Sequence, residues 1–91
     1  MRKPFDSIED SLEYIGLLRE VIEANKRIVE EQVREARAER ASRRADALEL
    51  AVYKLERLGK HIDDSRRILN DLRSLRRLLL GERKGVGATL R

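Results

Sequence analysis

At 91 residues the chain is at most one domain, and with 42% of its residues charged and only 3% aromatic, any core must be built from Leu, Ile, Val and Ala. The absence of cysteine excludes a disulfide framework, a thiolate metal site and a cysteine nucleophile. The net charge of +4 is uneven: residues 1–40 carry 8 basic and 10 acidic side chains (−2), residues 41–91 carry 13 and 7 (+6), which suits an anionic partner or two halves that pair with each other.

Residues 1–5 read as a lead-in. They lack the apolar segment of a signal peptide, and nowhere does an apolar run approach the ~18–20 residues of a membrane span, so the expectation is a soluble, cytoplasmic protein with no membrane span. Asp6 or Ser7 is placed to cap a first helix, Asp6 and Glu9 have capping-box spacing, and Glu9, Asp10 and Glu13 put negative charge at the positive end of the helix dipole.

The first helix is predicted over about 6–41. Ile8, Ile15, Ile22, Val29 and Ala36 recur every seven residues, with Leu18, Asn25 and Gln32 at a second seam position and Leu12, Val21, Ile28 and Val33 widening the stripe. Glu and Lys/Arg at i,i+4 on the opposite face support the helix.

Between Arg37 and Ala45 the large apolar residues vanish. The pattern resumes out of phase as Leu48, Ala51, Leu55, Leu58, Ile62, Ser65, Leu69, Leu72, Leu75 and Leu79. The phase break predicts a turn near Ala41–Arg44, with Ser42 as a cap, Asp46 and Glu49 as a capping box, and a second helix over about 43–80. One continuous helix, or three helices with a break near Gly59–Asp64, are the competing readings. Gly81 should end the second helix, and 81–91 should form a flexible basic tail.

The expected fold is therefore all-α: a long antiparallel helical hairpin, coiled-coil-like, with arms of about 35 residues or ~50 Å, dimerising into a four-helix bundle. Folding near Ser42 would lay the acidic start beside Arg73, Arg76 and Arg77. Val21, Ile28, Val52 and Ile68 make the stripe wider than one neighbouring helix covers. A dimer or partner interface is accordingly expected among Ile15, Leu18, Ile22, Val29, Leu55, Leu58, Ile62, Leu69 and Leu72.

Chemistry-bearing constellations are sparse. Arg73, Arg76, Arg77, Arg83 and Lys84 could bind anions and track a phosphate backbone, or could answer the acidic start of the first helix; no aromatic lies among them to stack on bases. Arg34, Arg37, Arg40, Arg43 and Arg44 would form a cationic tip. His61 is the single histidine and predicts no metal centre, and the adjacent pairs Asp63–Asp64 and Glu30–Glu31 diverge by about 100° on a helix, unlike paired catalytic carboxylates. No catalytic residue and no cofactor is expected. Asn25 and Gln32 either fix register within the seam or face water; Gly16 and Gly59 either allow close approach or bend their helices.

The leading expectation is a small structural or interaction protein that self-associates and binds another macromolecule, its protein partner unidentified. A nucleic-acid-binding regulator is the alternative, and a small all-helical enzyme for an anionic substrate the second. The likeness to coiled-coil hairpins is one of composition and brings no activity with it.

Overall fold

The computed structural model describes residues 6–81. Two helices account for nearly all of them: α1, Ile8–Ala38, and α2, Ser42–Leu80. They run antiparallel along their whole length in a hairpin measuring 66 × 29 × 15 Å. The continuous helix and the three-helix arrangement are thereby excluded, since α2 passes through Gly59–Asp64 without interruption. The lead-in at 1–5 and the tail from 82 onward lie outside the described residues.

The turn falls at residues 39–41, a few residues before the expected position, and α1 is shorter at both ends than the apolar periodicity predicts. The reason is local. Arg40 adopts φ +60°, the left-handed conformation that usually calls for glycine. Its amide donates to the carbonyl of Arg37 and the amide of Ala41 donates to that of Ala36, which together make a Schellman closure of α1. Ala41, not Ser42, precedes the first turn of α2, and neither helix has a side-chain N-cap. Neither capping box forms: Ser7 rather than Asp6 occupies the N-cap position of α1, and Asp46 and Glu49 lie inside α2, where they pair with Arg37 as Glu9 does with Arg76. Gly81 ends α2 at φ +63°, as expected.

The core is thin. Among the described residues Ile8, Ile22, Ala36, Ala45 and Ile62 are the buried apolar ones, Ala45 at 0% exposure, and no large side chain is fully enclosed. Facing α1 are Leu48, Leu55, Ile62 and Leu69, with Ile15, Ile22 and Val29 opposite them; all are buried or half-buried. The second seam position is where the expectation fails. On α2 that role goes to Ala45, Val52 and Gly59, and on α1 to the aliphatic stems of Arg19 and Lys26, all on one side of the seam. Small residues there let the helices approach, and the charged heads extend outward to carboxylates. Leu58, Leu75 and Leu79, predicted to continue the seam, are exposed.

Candidate interaction surface

Counting from the seam residues shows how the hairpin divides into two faces. On α1 the ion-paired residues stand one or four positions after a seam residue: Glu9 after Ile8, Arg19 after Ile15, Lys26 after Ile22, Arg37 after Ala36. On α2, Glu49, Glu56 and Asp63 stand one after Leu48, Leu55 and Ile62. Exposed apolar residues stand one before or three after. These are Tyr14, Val21 and Ile28 on α1, and Leu58, Ile68, Leu75 and Leu79 on α2, the last two counted from half-buried Arg76, which takes the seam position after Leu69. At about 100° per residue the two sets lie on opposite flanks of each helix. Because both helices are right-handed and run antiparallel, corresponding flanks fall on the same side of the hairpin.

The polar face is closed by cross-helix pairs. Arg19 donates from Nε to Asp63 Oδ1 at 3.0 Å and from Nη1 to Glu23 Oε2 at 3.0 Å. Hydrogen bonds to Asp63 and then Glu23 raise its already high pKa. Lys26 Nζ lies 3.5 Å from Glu56 Oε2. Beside the turn, Arg37 Nη2 bridges Asp46, at 3.0 Å, and Glu49, and hydrogen bonds to Asp46 and then Glu49 raise the Arg37 pKa. At the open end Arg76 forks onto Glu9 with Nη1–Oε1 2.8 Å and Nη2–Oε2 2.5 Å. That bidentate bond, against a guanidinium whose side chain is 18% exposed, holds the Glu9 carboxyl down at about 2. The acidic start of the chain thus meets the basic end through Glu9 and Arg76, as the charge asymmetry suggests.

Gly59 is buried under the Arg19 guanidinium: a Cβ there would stand 3.1 Å from Arg19 Nη1. Its role is close approach, giving Arg19 room to cross α2 and reach Asp63. Between Gly16 and Asp63 runs a solvent-open cleft of about 770 Å³ lined by both signs of charge, including Arg19, Glu23, Asp63 and Arg66.

The other face is apolar. Among the described residues, the exposed large apolar side chains lie on it or at its outer edge, where Leu50 and Leu78 stand two after a seam position, except Tyr53 and Leu17, which line clefts of the polar side. Half-buried Leu18 and Leu72 fill its inner border, while Asn25, exposed, and Gln32, half-buried, interrupt it toward the turn. Val52, expected to widen the stripe, sits on the polar side. A monomeric soluble chain seldom leaves so many large apolar side chains along one flank in water.

Of the residues expected at an interface, Leu18, Leu58 and Leu72 belong to the apolar face. Ile15, Ile22, Val29, Leu55, Ile62 and Leu69 line the seam between the chain's own helices. Of the expected anion-binding set, Arg76 is engaged by Glu9, Arg73 is half-buried and Arg77 is exposed; Arg83 and Lys84 lie outside the described residues. Ser65 Oγ donates to the His61 carbonyl, and His61 is exposed on the apolar face. Among the described residues no group of three or more His, Cys, Asp or Glu is placed to hold a metal ion, and no helix is long and apolar enough to cross a membrane.

Comparison with protein-family models, curated proteins and solved structures yields no match.

Proposed function

We propose that this chain is a non-catalytic interaction protein whose apolar face pairs with a second copy, giving a four-helix bundle that serves as an assembly element for another macromolecule. One observation carries the reading: the hairpin closes its ion-paired flank and leaves its leucine-rich flank open. A two-helix unit has one neighbour per helix and buries little, so most of the gain from these side chains is realised only when a further layer covers them. Each half-exposed aliphatic side chain removed from water contributes roughly 1 kcal/mol.

Multi-angle light scattering at micromolar concentration tests this. The expected mass is twice 10.6 kDa, and Ile68→Lys, a change on the exposed face, returns the protein to monomer with its helical circular dichroism intact. A wild-type chain that stays monomeric under these conditions would overturn the proposal.

A further inference from the structure

Taking that pairing as its premise, we infer that the two hairpins meet antiparallel, so that their turns point to opposite ends of the bundle. Charge at the outer edge of the apolar face distinguishes the two orientations. Asp10, Arg57 and Asp71 each stand two residues after a seam residue, at this edge. The cross-helix pairs Glu9–Arg76 and Arg19–Asp63 put Asp10 and Asp71 within about a turn of each other along the axis, near the open end. Arg57 lies near Lys26 and Glu56, toward the turn. Neither Asp10 nor Asp71 is ion-paired among the described residues, whereas Asp64, between Asp71 and Arg57, is ion-paired with Arg67 on its own helix.

Two face-to-face arrangements have two-fold symmetry. If the axis runs along the bundle, α1 of one copy covers α2 of the other with levels matched. Asp10 then sits against the partner's Asp71 twice, acid on acid, at the edge of a low-dielectric layer. If the axis is perpendicular, each helix covers its own equivalent in reverse. With residue 64 at the two-fold, Asp71 stands opposite the partner's Arg57, twice, and Asp64, ion-paired with Arg67, lies at the centre. On α1 the same register places Leu18 on the partner's Leu18 and brings Tyr14 within one residue of the level of the partner's Val21. Complementary charge and apolar contact therefore coincide in the antiparallel arrangement.

The chain has no cysteine, so Glu39→Cys gives one spin label per copy, at the turn. Pulsed electron–electron resonance on the dimer should read about 65 Å between labels, from the 21 residues that separate Leu18 and Glu39 on either side of the axis. A separation of about 10–20 Å, the spacing of stacked helices, would overturn the antiparallel arrangement while leaving self-association intact. A chain that is monomeric by mass removes both. Charge reversal supplies an independent reading. Asp71→Arg and Arg57→Asp should each weaken the dimer about tenfold, and together restore it. In the parallel arrangement Asp71→Arg would tighten the dimer instead, and the two changes would not couple.

Discussion

Arg40 is the residue at which the fold turns, and it holds a conformation that costs a side chain with a Cβ ~1–2 kcal/mol. Arg40→Gly should therefore raise stability by about 1 kcal/mol in urea denaturation without changing helicity, since both hydrogen bonds of the turn come from backbone amides. This explains why the turn is faint in the sequence: Arg-Ala-Glu-Arg-Ala is helix-favouring, and only the loss of large apolar residues betrays it. Glu9 is the other single residue with a distinct signature. Its carboxyl is held at about 2 against an ordinary 4.5, so the folded state binds this proton less readily than the unfolded one. The Arg76 contact therefore stabilises fully above about 4.5 and is lost as pH falls toward 2. Thermal unfolding followed across pH 7 to 2 should show wild type melting above Glu9→Gln at neutral pH, the gap closing over that acid window.

The two helices also differ in what their glycines tolerate. Both Gly16 and Gly59 lie in helix interiors, where alanine is favoured by about 1 kcal/mol. At Gly16 a Cβ meets only Arg66 Nη2 at 3.9 Å, an ordinary contact; at Gly59 it presses on Arg19 at 3.1 Å. Gly16→Ala should gain nearly the full propensity term in denaturant titrations. Gly59→Ala should gain distinctly less, because the guanidinium must move off Asp63 and Glu23. Equal gains would mean that the Arg19 pairs contribute nothing. At this scale the helices are legible in the heptad spacing of Ile8, Ile15, Ile22 and Val29 and of Leu48, Leu55, Ile62 and Leu69. Which flank closes is not. A pattern of apolar letters ranks Leu18 and Leu58 above Arg19 and Gly59. Packing inverts that order, because a small residue admits the neighbour and an arginine stem is itself apolar surface.

For the whole molecule, antiparallel pairing within the chain and the meeting of acidic start with basic end both follow from the charge asymmetry and the phase break. The two-faced cross-section does not, since it depends on the rotation of each helix about its own axis. If the apolar face is covered by a second copy, folding and association are linked, and the melting temperature should rise with protein concentration. A melting temperature constant over a hundredfold dilution, checked by circular dichroism, would mean that the hairpin is stable alone.

The three-residue link imposes a gradient along the hairpin. The Arg37–Asp46 pair joins residues nine apart in sequence, whereas Arg76–Glu9 joins residues 67 apart. Closing the longer loop from an open chain costs about 2 kcal/mol more in entropy. Once the turn has formed, however, each successive layer adds only a short step. On loop entropy alone, closure should run like a zipper from Arg40 outward, with the forked bond between Arg76 and Glu9 as the clasp that engages last.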